Sequence, residues 1–441
     1  MSRLLAVALL FLAIAVPSVA SHPGSSDDPV FSQIDSIVKS LSSITGLAER
    51  HPVPYGRMSK RQLRQFLTRR IKKTLRPEEI HADELALKMF GLVPQDFDLK
   101  KSTIDLLTEQ AAAFYDYDEK KLFLLEDSSV EAETTTLAHE LAHALADQHF
   151  NLDKFMDENL ANDDENLAHT AVVEGQASWL MIAYDLKEAG KPPVPTPEML
   201  ATVADSGEGA MTDYPVLKSS PLYIRQSLLF PYTEGTMFFD AVYKRDGKKA
   251  FAEVFTEPPK DSSQIIHPAR YFAHERATSP AVPTLSYQDQ EEEISEGSVG
   301  EFDHEVLLWQ YGSEAKAKAL APHLRGGAFK IMAEGRQHRP VLTYASEWDS
   351  RENAEDFFAF YKKVLPAKAK HCEVRSESGA AFAGRCDSGY FVAKLEGVNV
   401  TSIEGVSDAA EWDSWKLGKT PVSLKISFAR RVRLGTWSTI R

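Results

Sequence analysis

The stretch HELAHALADQH, residues 139–149, constrains this chain more than any other, because it fixes both a helix and the chemistry that helix can carry. His139 and His143 are four residues apart, so on an α-helix they lie one above the other, about 6 Å apart. Two imidazoles so placed can converge on one zinc, whose bonds to nitrogen are about 2.1 Å. Glu140, one position along, lies within reach of a water on that metal, as in the H-E-x-x-H arrangement, where the glutamate is the general base.

His149 follows His143 by six residues, the spacing at which the HExxHxxGxxH pattern places a third histidine ligand. In that pattern a glycine lets the chain leave the helix and swing back. Here the glycine position is Ala146, the best helix former, and ALADQHF holds neither Gly nor Pro. A continued helix turns His149 about 120° from His143 and carries it about 9 Å further along the axis, out of reach of a shared metal. His149 is therefore expected to be structural, and the third ligand to lie elsewhere. Asp147 shares the face of the histidines but is too far along to ligate directly; it reads as an outer acceptor or an exposed side chain.

The expected third ligand is Glu174, in AVVEGQASW. Helix, loop and returning helix fit between it and His143, and a carboxylate from a neighbouring helix completes the His₂Glu set of a catalytic zinc. Gly175 beside it costs about 1 kcal/mol in a helix interior, so it calls for a packing reason such as close approach of the two helices. Glu234, in the similar Glu234-Gly235 pair, is the runner-up. His169 points away from Glu174 and reads as a core or rim residue.

A coarse pass places these motifs. One arginine, an apolar run from Leu4 to Val16 and Ser18-Val19-Ala20 read as a secretory signal peptide, residues 1–20, cut after Ala20. Residues 21–29 read as disordered. Residues 30–110 show helical periodicity. AAAFYDYDEKKLFLLED reads as a β-hairpin running into a capping box at Ser128 to Glu131, which starts the HELAH helix. A second helix opens near Asn162 and a third block covers SPLYIRQSLLFPYTEGTMFFDAVYKRDG. Residues 277–300, with TSPAVPT and QDQEEEISEGS, read as a linker between a catalytic domain at 30–276 and a C-terminal α+β domain at 301–441. The expected fold is α+β, mostly helical around the motif with a small hairpin or sheet.

The formal net charge of −14 argues against a general nucleic-acid binder. No stretch after the signal is long and apolar enough for a membrane span. In an exported chain the only two cysteines, Cys372 and Cys386, are expected to form one disulfide across a hairpin.

HELAH with a distant Glu in an EG-x-A setting resembles the gluzincin-type zinc metallopeptidases. GLVPQDFDL, AFYDYDEKKLFLL, HALADQHF, VVEGQAS and IIHPARY together are similar to a set of exported bacterial HExxH proteins. The resemblance covers roughly residues 100–275. It implies peptide-bond hydrolysis by a zinc-activated water, His139, His143 and Glu174 as ligands, Glu140 as base, and a zincin-like catalytic domain. One departure is Ser178, where many gluzincins place an Asp that orients a zinc histidine. A donor for the developing oxyanion is also needed, and Tyr232 and His267 are the candidates. The expected protein is an exported, periplasmic or extracellular peptidase with a peptide or protein substrate. The competing expectation is a catalytically inactive relative that binds peptides or cell-envelope components.

Overall fold

The computed structural model describes residues 30–126, 130–157, 162–201, 214–285, 292–335 and 337–407, with the side chains of 130–133 excepted. The signal peptide, the segment 21–29, and Ser128 and Ser129 of the capping box lie outside the described residues, and the side chains of Val130 and Glu131 are not described.

The protein is α+β, and it is built in two sheet-bearing parts. The first part opens with helices α1 (Ile34–Thr45), α2 (Lys60–Thr74), α3 (Pro77–Phe90) and α4 (Leu99–Gln110). Ser59 and Asp98 cap α2 and α4 by accepting from the amides three residues on. Strands β1 (Tyr55–Met58), β2 (Ala113–Asp116) and β3 (Lys121–Leu125) form a three-stranded sheet in the order β1-β3-β2. β2 and β3 are the anticipated hairpin, with Phe114 opposite Phe123. β1 joins β3 in parallel, which no local pattern announces because its partner is more than sixty residues away.

Three long helices follow: α5 (Val130–Phe150), α6 (Asp163–Glu188) and α7 (Leu222–Asp246). Asn162 caps α6, its side chain accepting from Glu165 N at 3.0 Å, and Asp163, Asp164 and Glu165 occupy the first turn, where the helix dipole favours them. Short helices α8 (Ser262–Ile266) and α9 (Pro268–Phe272) lead into the second part.

That part is a seven-stranded antiparallel sheet ordered β4-β5-β6-β10-β9-β8-β7. Its strands are β4 (Glu292–Ser298), β5 (Leu324–Glu334), β6 (Arg339–Trp348), β7 (Glu373–Glu377), β8 (Ala381–Cys386), β9 (Gly389–Glu396) and β10 (Asn399–Val406). Helices α10 (Glu301–Tyr311) and α11 (Arg351–Ala367) pack on one face. Cys372 and Cys386 are bonded to each other at the β7–β8 hairpin.

The linker reading needs correction. Residues 292–298 are not a connector but the edge strand β4, paired with β5 through Glu296 opposite Lys330. Its acidic run suggested a solvated linker; on an edge strand, charge instead discourages pairing with other chains. Glu293 and Glu296 both meet Lys330 Nζ, at 3.1 and 2.5 Å. The two parts also share one apolar core: Phe90 of α3 lies edge-on to Phe329 and Tyr344, each with ring centroids 5.5 Å away. Among the described residues no helix is long and apolar enough to cross a membrane.

Candidate metal centre

From Leu137 to Asp147 α5 is buried all round. Leu137, Ala138, Leu141, Ala142, Ala144, Leu145 and Ala146 are buried, so the helix runs through the middle of the first part rather than along its surface. It is unbroken through Ala146 to Phe150. His149 consequently points away and its Nε2 meets the carbonyl of Ala48 at 2.8 Å. His149→Ala is expected to leave metal stoichiometry unchanged and to cost roughly 1 kcal/mol of stability, read by metal analysis and urea unfolding.

His139 and His143 face α6, where Glu174 waits with no solvent exposure. His139 Nε2 lies 3.1 Å from Glu174 Oε2. His143 Nε2 lies 3.0 Å from His139 Nε2 and 3.4 Å from Glu174 Oε2. With Glu174 ionised, no placement of protons satisfies three atoms in mutual contact. If both nitrogens carry hydrogen, two hydrogens face each other; if either does not, its lone pair faces the carboxylate. A cation between them removes the conflict, because all three then present lone pairs to it. The spacing also fits: a tetrahedral site with bonds of about 2.1 Å has ligand–ligand edges of about 3.4 Å. His139, His143 and Glu174 are thus a buried group that can hold a metal ion.

Glu140 is 1 % exposed, and its Oε1 has no hydrogen-bond partner. Burial, opposed by His139, reinforced by Glu174 and opposed again by an amide hydrogen bond from Tyr115, leaves its carboxyl raised to about 8. Burial also acts to raise Glu174, but the imidazoles of His143 and His139 outweigh it and hold that carboxyl below its ordinary value.

Tyr232, on α7, meets the same group. Its phenol donates to Glu174, and its ring lies over that of His139 with centroids 6.0 Å apart. Burial, then the nearby carboxylates of Glu174 and Glu140, push the phenol well above its ordinary value, so it stays a proton donor. A glycine contact brings Tyr232 there. A Cβ on Gly175 would come within 2.1 Å of the Gly235 carbonyl carbon, and one on Gly235 within 2.2 Å of the Ala171 oxygen. Gly175 was expected to let α6 approach α5; it lets α6 cross α7. The repeated Glu-Gly pairs at 174–175 and 234–235 meet through their glycines, and Glu234 is not in the group that can hold the metal.

The other sequence candidates are not in the group that can hold a metal ion. His267 Nε2 meets Glu301 Oε1 at 2.7 Å, and Arg270 holds the second oxygen of Glu301 at 2.6 Å. His169 stacks on Phe155 at 4.4 Å, and burial lowers it to about 4, a neutral core histidine. The Nδ1 of His143 has no hydrogen-bond partner among the described residues.

Sequence reasoning passed over Tyr117, which is buried with its ring edge-on to His143 at 6.2 Å. The signal was present, since Tyr115 and Tyr117 alternate along one face of the hairpin. Asp147 holds that hairpin on α5. It is buried and accepts from Tyr115 Oη at 2.9 Å, Lys120 Nζ at 2.8 Å and Leu152 N at 2.8 Å. Asp147→Ala leaves these donors unmet and is expected to cost about 3 kcal/mol in urea unfolding; a change below about 1 kcal/mol would show that the hairpin is held by other contacts.

Fold and site together define an α+β protein with a buried two-histidine, one-glutamate group able to hold a metal ion. No protein-family model matches the chain, and no curated protein or solved structure does.

Proposed function

We propose that the protein is an exported zinc metallopeptidase that hydrolyses peptide bonds with Glu140 as general base. The observation that carries this reading is the convergence of His139, His143 and Glu174 at 3.0–3.4 Å, with a carboxylate one residue along the same helix. Two nitrogens and one oxygen suit zinc, and three protein ligands leave a position open for chemistry. Zinc bound there would acidify a water and polarise the scissile carbonyl.

The chain supplies the rest. Glu140 has an unpartnered oxygen to take the proton of the attacking water and to pass it to the leaving amine. Tyr232 keeps Glu174 oriented by donating to it, so its first role is to hold the ligand carboxylate in place. Export is supported by the leader-like N-terminal sequence and by the Cys372–Cys386 disulfide.

A second reading, a peptide- or envelope-binding protein without catalysis, has one observation in its favour. His139, Glu140 and His143 are each at most 2 % exposed. A cleft of about 1320 Å³ instead lies beside Asp163, Glu293 and Lys330.

Incubating the purified chain with a broad peptide library, with and without a zinc chelator, separates the two. Hydrolysis abolished by the chelator and restored by zinc supports the peptidase. A chain with a full complement of zinc and no hydrolysis supports the binding protein.

A further inference from the structure

The cleft of about 1320 Å³ lies between the first turn of α6, the edge strand β4 and the segment 276–282. Its lining is unevenly charged, with nine Asp and Glu side chains against four Lys and Arg. Three of those four cations are already engaged. Arg76 meets Glu79 at 3.0 Å, Lys260 meets Glu165 at 2.9 Å, and Lys330 meets Glu293 and Glu296 at 3.1 and 2.5 Å. A concave surface dominated by one sign of charge focuses its field and concentrates ligands of the other sign.

Asp164 stands in the wall of this cleft and is 5 % exposed, with Asp261 and Asp303 buried near it. Those two neighbours are satisfied. Asp261 accepts from Gln264 N at 3.1 Å and Ala277 N at 2.9 Å, and Asp303 from Tyr223 Oη and Gly300 N, both at 2.9 Å. Asp164 is not. Ser262 donates to its carboxyl through amide and hydroxyl, yet Oδ1 has no hydrogen-bond partner among the described residues. That oxygen lies against Gly300, where a Cβ would come within 2.2 Å of it, so glycine leaves it room. Thr278 Oγ1 and Ser298 Oγ, in the same lining, also lack partners among the described residues. Burying a carboxylate without a cation is costly. Burial, then Asp261 and Asp303, accordingly push the Asp164 carboxyl up to about 8. Asparagine would fill the same space without a charge, so a carboxyl kept here calls for a reason at the cleft.

We infer that the cleft binds a ligand bearing an ammonium or guanidinium group, which pairs with Asp164. Such a group offers several N–H donors and no acceptor, which suits oxygens that lack donors. Its charge also makes the hydrogen bond to a carboxylate a strong one. A bare metal ion suits the place less well. Among the described residues the group able to hold one is His139, His143 and Glu174, and Asp164 is not part of it. Asp164 lies ten residues before Glu174 on α6, about 15 Å along the axis. The site is therefore separate from the metal centre, and the inference does not depend on peptide hydrolysis.

Calorimetric titration of the full chain at low salt tests it with two sources of the cation. One is a short blocked peptide with a central lysine; the other is spermidine. At least one should bind with a Kd of about 1 mM or below. Binding of the peptide assigns the site to polypeptides, and binding of spermidine alone assigns it to small polyamines. Norleucine in place of lysine removes the charge and should weaken peptide binding at least about tenfold. Asp164→Asn should weaken binding of either cation by a similar factor while keeping or raising the urea midpoint. Asp164→Ser replaces it should that variant not fold. Glu355→Gln removes one negative charge outside the cleft and should change neither property. No response to either cation overturns the inference, as does a response to calcium ion alone. Equal binding of the norleucine peptide, or unchanged binding in the Asp164 variants, overturns it too.

Discussion

Glu140→Gln is expected to keep its metal and lose about 10²- to 10⁴-fold in kcat for peptide hydrolysis, the usual range for removing a general base. Glutamine keeps the size of the side chain and can still accept the Tyr115 amide hydrogen bond, so the ligand helix should stay in place. The informative comparison is with His143→Ala, which removes a ligand and should lose metal and activity together. If Glu140→Gln hydrolysed peptides at the wild-type rate, the proton would have to travel by another group and the proposed mechanism would fail. If it lost metal as well, Glu140 would belong among the ligands.

Gly235→Ala should be strongly destabilising although it adds only one methyl group. Alanine in a helix interior ordinarily gains up to about 1 kcal/mol over glycine. Here the new Cβ would lie 2.2 Å from the Ala171 carbonyl oxygen, a backbone atom that no rotamer change can move aside. The helices must separate, and overpacking of this kind costs about 1–3 kcal/mol or more, so the clash outweighs the helix gain. Separation also draws Tyr232 from Glu174. Metal affinity should therefore fall about 10- to 100-fold, the range for removing a partner that orients a ligand. Urea unfolding and chelator competition read the two effects separately. Tyr232→Phe should show the affinity loss without the large loss of stability. Gly235→Ala with an unchanged unfolding midpoint would contradict the crossing.

The grouping of His139, His143 and Glu174 was legible because it rests on local rules. Spacing by four residues fixes His139 and His143 on one face. The absence of a helix breaker between Leu145 and Phe150 rules out His149, and a small residue next to an acidic one in an apolar helix singles out Glu174. What Gly175 packs against was not legible, because a glycine announces close approach without naming the neighbour. The same limit hid β1, whose partner β3 is set by tertiary pairing, and β4, whose glutamates look like a linker until a paired strand stands beside them. Asp147 shows how burial changes a role. By pattern an acceptor near a helix end, it proves to be the anchor that holds the Tyr115–Tyr117 hairpin against the ligand helix. His267 illustrates the reverse: a histidine in a turn-like sequence can find a local carboxylate, here Glu301, and be engaged there.

The central claim is that one zinc is held by two imidazoles and one carboxylate. Zinc K-edge X-ray absorption on the purified chain, compared with Glu174→Gln, tests it most directly. The account predicts one zinc per chain with two imidazole nitrogens and oxygen donors at about 2.0–2.1 Å, and loss of tight zinc binding on changing Glu174. A spectrum with three imidazoles, or a zinc site unaltered in Glu174→Gln, would contradict it.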